Sequence, residues 1–162
     1  MSKGVVQIYY GEGHGKSTAA LGNAIQMAGE GKTAIAIQFL KGKSEIKGDF
    51  IKRLEPEIRF FSFAKSEECF CTLSDEEKQE ESINLKNGFN YGKKVVSTGA
   101  CDLIIMDEIL GLLDEGVITM EDIKNLISIR PEEMTMIFTG RVLPDELRAY
   151  ADEIYYIASE KQ

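Results

Sequence analysis

Residues 5–28 constrain this chain more than any other stretch. Val5-Val6-Gln7-Ile8-Tyr9-Tyr10 is an apolar run of strand character, and the alanine-rich segment 19–28 reads as helix. Between them lies Gly11-Glu12-Gly13-His14-Gly15-Lys16-Ser17-Thr18. A strand, a glycine loop ending in Lys-Ser, and a helix make up the local architecture of a phosphate-binding loop. Glycines let successive N–H groups curl around phosphate oxygens. The helix start adds unsatisfied N–H groups and the positive end of its dipole. In such a loop Lys16 reaches the phosphates and the Ser17 hydroxyl ligates magnesium.

The spacing is unusual. In the common G-x-x-x-x-G-K-[ST] pattern, with Gly15 as the second glycine, the first would stand at Tyr10. Here it is Gly11, so the loop is one residue shorter. Glycine-rich turns before helices also occur without a ligand. The added Lys-Ser-Thr and the flanking elements favour nucleoside triphosphate binding through residues 11–18.

Beyond this loop, apolar runs alternate with helical patterns. Strands are expected at 33–39, 58–63, 102–106, 134–138 and 153–158. Helices are expected at 44–54, from Ser74 toward Val96, at 109–113, 120–129 and 144–150. Ser74 with Glu77, and Thr119 with Asp122, have the spacing of capping boxes. The charges between Lys78 and Glu81 read as a solvated helix face. The β–α alternation predicts an α/β fold of one domain over 1–162, a mainly parallel sheet with helices on both faces. In such sheets ligands sit outside the carboxyl ends of the strands. Asp107 and Glu108 emerge there, after an apolar run whose burial on both faces suits a parallel sheet. They are candidate magnesium ligands. The other reading makes Asp107 a helix cap. Lys41 and Arg141 follow two further strands and would bring positive charge to the same rim.

Composition excludes several classes. The net charge of −8 argues against general nucleic-acid binding. No apolar stretch approaches the ~20 residues of a membrane span, and because Met1-Ser2-Lys3-Gly4 leads directly into the first strand, no signal peptide is expected. A cytoplasmic protein with reduced thiols is expected. Cys69, Cys71 and Cys101 have no zinc-ligand spacing, and the only histidine, His14, lies in the glycine loop. Buried or incidental thiols are the expectation.

Taken together, Gly11 to Gly22, Gln38-Phe39-Leu40-Lys41-Gly42, Met106-Asp107-Glu108-Ile109, Arg130-Pro131 and Thr139-Gly140-Arg141 resemble the ATP:corrinoid adenosyltransferase family, over nearly the whole chain. The shortened loop is typical of that family. The resemblance implies a RecA-like P-loop fold, a homodimer, and ATP with Mg2+. It implies transfer of the 5′-deoxyadenosyl group of ATP to Co(I) of a corrinoid, with triphosphate leaving intact. An electron-donating flavoprotein is an implied partner; nucleic acid and membrane are not. Lys16, Glu108 and Phe70 would be catalytic. Residues 11–18, Lys41 and Arg141 would bind the nucleotide, and Ser17, Asp107 and Glu108 the metal. Family members carry Lys at His14, Asn near Glu12 and a Gly-Phe-Thr-Trp-like stretch after the third strand. Here that stretch is Ala64 to Leu73, there is no tryptophan, and Phe70 takes the aromatic role or packs in the core. A P-loop ATPase or kinase acting on another substrate, and a nucleotide-dependent regulatory module, are the other readings of the residues.

Overall fold

Every apolar run named above forms a strand in the computed structural model, which describes residues 3–40 and 48–161. The strands are β1 (Val6–Tyr10), β2 (Ala34–Gln38), β3 (Ile58–Ser62), β4 (Leu103–Asp107), β5 (Thr135–Gly140) and β6 (Glu153–Tyr156). They form one sheet in the order β3-β2-β4-β5-β1-β6, and all its pairings are parallel. The helices are α1 (Lys16–Gly29), α2 (Gly48–Ile51), α3 (Asp75–Thr98), α4 (Ile109–Asp114) and α5 (Met120–Ser128). Segment 144–150, expected as a helix, is a 3-10 helix over Asp145–Tyr150 with Pro144 at its N-cap. In segment 44–54, residues 48–54 are helical, as α2 and a 3-10 turn over 52–54, and residues 44–47 lie outside those described.

Alternation along each strand builds two cores. Ala34 and Ala36 of β2, Leu103 and Ile105 of β4, and Ile137 of β5 point to one face. There they meet Ala20 and Ala24 of α1. Small side chains on both partners let α1 lie close to the sheet, which places its N-terminus over the strand ends. On the other face, Ile35, Ile37, Ile104, Met106 and Phe138 pack under α3, α4 and α5. Burial of four successive β4 residues is what a strand covered on both faces requires.

The buried positions of α3 are Glu81, Leu85, Gly88, Phe89, Gly92, Val95 and Val96, a stripe at 3.6-residue period. Gly88 and Gly92 bring the helix down onto the sheet. A Cβ at Gly92 would lie 2.7 Å from Met106 Cε, and one at Gly88 2.9 Å from the Phe63 ring. Both expected capping boxes are present, Ser74 with Glu77 and Thr119 with Asp122.

One expectation about α3 fails. Glu81 does not belong to a solvated face; it is 6% exposed. Its carboxylate accepts hydrogen bonds from the backbone N–H groups of Lys65 (2.9 Å) and Ser66 (2.6 Å), and from Asn84 Nδ2 (3.2 Å). A buried carboxylate needs such donors. Glu81 therefore ties the segment after β3 to α3. Among the described residues, no helix is long and apolar enough to cross a membrane.

Candidate functional site

The glycine loop joins β1 to α1 at the carboxyl edge of the sheet, and the chain's last strand braces it. Gly11 N–H points to Gly140 O and Arg141 O, both at 3.2 Å, and Gly13 N–H donates to Ile157 O at 3.0 Å. A Cβ on Gly13 would come within 2.8 Å of the Ala158 backbone, so only glycine permits this approach. Gly15 stands at the helix N-cap with φ 107°, a left-handed conformation natural to glycine. It has no side chain to cap the helix. The N–H groups of Lys16, Ser17 and Thr18 fall in the first turn, where no intrahelical carbonyl can reach them. Glu12, His14, Gly15, Ser17 and Thr18 are exposed on this loop.

The ends of β4 and β5 meet the loop. Ser17 Oγ donates to Asp107 Oδ1 at 2.7 Å. Thr139 Oγ1, fully buried at the end of β5, donates to the same carboxylate oxygen at 2.7 Å. Thr139 Oγ1 in turn accepts from the Glu108 backbone N–H at 2.7 Å. One threonine thus aims Asp107 at the loop and fixes the turn into α4. Asp107 is the last residue of β4 and does not cap α4. The N-cap is Glu108, whose side chain makes no capping bond.

Glu108 has φ 64°, the described non-glycine residue with positive φ. Such a conformation costs about 1–2 kcal/mol in an L-residue, and the Thr139 bond helps hold it. Burial pushes the Glu108 carboxyl up from its ordinary range, and the neighbouring Asp107 charge adds to this. Lys16 and Arg141 oppose the shift, so both cations act on Glu108.

Lys16 Nζ donates to Gly13 O at 2.9 Å, folding back onto the loop. Arg141 Nη2 lies 3.2 Å from Glu12 Oε1, and both side chains are mostly exposed. The pair compensates Glu12, which would otherwise repel phosphate, while contributing little to stability. Lys41 lies outside the described residues.

Phe70 stands apart, in a one-turn 3-10 helix over 70–72. It is 9% exposed and joins the core beneath α3. Its ring also lines an open cavity of about 520 Å³ with Lys78, Gln79, Ser82, Ile83, Lys86 and Glu115. Of the cysteines, only Cys101 is buried; Cys69 and Cys71 are exposed.

Ser17 and Asp107 present a hydroxyl and a carboxylate to one point, with Glu108 next in the chain. This all-oxygen donor set suits a hard cation such as magnesium. Among the described residues no three His, Cys, Asp or Glu side chains form a metal cage. Magnesium does not require one, since it keeps water and phosphate oxygens as ligands.

Sheet order, glycine loop and acidic strand end define an α/β protein of the RecA-like P-loop class. The accessory flagellar protein FlaH of Methanocaldococcus jannaschii shares this fold, with a TM-score of 0.56 and 16% identity over 96% of this chain and 72% of that one. The chain belongs to the ATP:corrinoid adenosyltransferase BtuR/CobO/CobP family, whose sequence profile matches residues 2–162. Relatives include the corrinoid adenosyltransferase of Escherichia coli K12, 25% identical over 94% of this chain and 75% of its own length. CobA of Salmonella typhimurium is 26% identical over the same shares, and the Pseudomonas aeruginosa enzyme 22% over 86% and 67%.

Proposed function

We propose that this protein transfers the 5′-deoxyadenosyl group of ATP to Co(I) of a corrinoid and releases triphosphate. The observation that carries the reading is the hydrogen bond between Ser17 and Asp107. It joins a shortened phosphate loop to an acidic strand end, in a chain that matches the adenosyltransferase family from residue 2 to residue 162.

In this reading the loop from Gly11 to Thr18 receives the triphosphate. Backbone N–H groups of the first turn of α1 face the phosphate oxygens. Lys16 exchanges its bond to Gly13 O for one to a phosphate, and Arg141 and Lys41 add charge at the rim. Ser17, Asp107 and Glu108 hold magnesium, which when bound neutralises charge on the triphosphate. The leaving group is stabilised where its charge develops. No protein nucleophile is required, because the reduced corrinoid supplies it; the protein orients cobalt and C5′ in line and excludes water. Phe70 packs against the corrinoid on the face from which the lower ligand withdraws. Its ring cannot coordinate cobalt. The protein acts as a cytoplasmic homodimer of one domain per chain, receiving electrons from a flavoprotein.

The test is to mix the protein with magnesium-ATP and chemically reduced cobalamin and to follow the corrinoid spectrum. Conversion to the adenosylated form is expected in wild type. Lys16→Ala should lose roughly ten- to a hundredfold in rate, the value of one charge-assisted contact. A wild-type spectrum that stays unchanged defeats the proposal.

A further inference from the structure

Cys69 and Cys71 flank Phe70 on its 3-10 turn, and their sulfurs lie 2.6 Å apart. Both thiols are exposed, while the ring between them is buried. The turn is closed by two backbone bonds, Thr72 N–H to Cys69 O at 3.0 Å and Leu73 N–H to Phe70 O at 3.2 Å. The Thr72 hydroxyl donates to the same Cys69 carbonyl at 2.8 Å. Phe70 thus anchors the turn from below, and the hydrogen bonds hold both cysteines on its outer side. The sulfurs need not search for one another. A covalent S–S bond is ~2.05 Å long, so closure requires only a small approach.

We propose that Cys69 and Cys71 form a redox-active dithiol, a modification site that exchanges with small-molecule disulfides and closes to an intramolecular disulfide. The assignment stands apart from the reaction proposed above. The contact between the two sulfurs lowers the Cys69 thiol from its ordinary range and raises that of Cys71, with the Glu115 carboxylate opposing ionisation of both. Cys69 is therefore the attacking thiolate. It displaces one thiolate from the small disulfide and forms a mixed disulfide. Cys71 then gives its proton to solvent and attacks the Cys69 sulfur, expelling the second thiolate. The protein loses two electrons and two protons, and the small disulfide gains them. Closure pins the turn that carries Phe70. Cys101, buried beneath α3, takes no part.

The test uses the full chain, reduced and then exposed to oxidised glutathione, quenched in acid and weighed intact. Wild type should lose the mass of two hydrogens and retain no glutathione, and dithiothreitol should reverse the change. Peptide mapping should place the bridge between Cys69 and Cys71. Cys71→Ser, which lacks the resolving partner, should instead retain one glutathione, whereas Cys69→Ser, which lacks the attacking thiol, should react far more slowly. Wild type that keeps glutathione, stays unmodified, or bridges to Cys101 overturns the assignment.

Discussion

The Ser17 hydroxyl donates a 2.7 Å hydrogen bond to Asp107 Oδ1 across 90 residues of sequence. Ser17 lies in the first turn of α1, which follows β1, and β1 is not a neighbour of β4, since β5 lies between them. Thr139 at the end of β5 bridges that gap by donating to the same oxygen. The candidate site is thus two strand ends and a helix start held by one carboxylate.

Amide replacement separates charge from shape at the acidic pair. Asp107→Asn keeps the volume but removes the anion that faces Ser17. The magnesium concentration giving half-maximal activity should rise roughly ten- to a hundredfold, and excess magnesium should restore part of the rate. Glu108→Gln should act in the same direction and less strongly, because its side chain makes no bond to Ser17 or Thr139. Magnesium dependence like wild type in both variants would leave the pair a purely structural role.

Thr139→Val retains the side-chain shape and removes the hydroxyl. The Glu108 N–H then loses its acceptor and Asp107 loses a donor. Leaving a buried N–H unpaired costs about 1–3 kcal/mol, which at ~2–4 °C per kcal/mol lowers the melting temperature visibly. Magnesium dependence should shift as in Asp107→Asn, because the carboxylate is no longer aimed. A normal melting temperature together with normal magnesium dependence would show that the bridge does not organise the site.

Glu81→Gln tests the buried anchor beneath segment 64–68. A glutamine cannot accept from both the Lys65 and Ser66 N–H groups with its two terminal atoms, since one of them is a donor. Amide hydrogen exchange in 64–73 should quicken while β4 and β5 stay protected. Exchange unchanged in that segment would mean other contacts suffice.

Alkaline stability should depend on Cys101. Burial pushes its thiol up to about 11, against ~8.5 for a free thiol in the unfolded chain. Between these values the folded state keeps a proton that the unfolded state releases. Stability is therefore full below pH ~8.5 and is lost as pH rises toward 11, by at most ~1.4 kcal/mol per pH unit. Denaturant midpoints measured across this range should fall more steeply in wild type than in Cys101→Ala. Parallel curves would remove Cys101 as the cause.

Much of this was legible in the residues. The strands announce themselves as apolar runs, and the loop from Gly11 to Thr18 carries its own chemistry. Neighbour relations across the sheet were not legible. Nothing in the sequence says that β5 lies between β4 and β1, so Thr139 could be noticed in a motif but not assigned its bridging role. The support that Ile157 and Ala158 give the glycine loop is hidden for the same reason, because β6 returns beside β1 from the far end of the chain. Glu81 does carry a signal in the sequence: it sits four residues before Leu85, on the stripe that Phe89 and Val96 continue. A charge at a core position of a helix asks for a buried partner, and the composition of 78–81 masked that register.

The central claim concerns which bond of ATP breaks. Phosphorus NMR of the products formed from magnesium-ATP and reduced cobalamin reads this directly. Attack at C5′ leaves the three phosphates joined, so the account predicts intact triphosphate, formed one for one with adenosylated corrinoid and sharply reduced in Lys16→Ala. ADP with free phosphate, formed whether or not corrinoid is present, would contradict it and make the protein a phosphoryl-transfer enzyme.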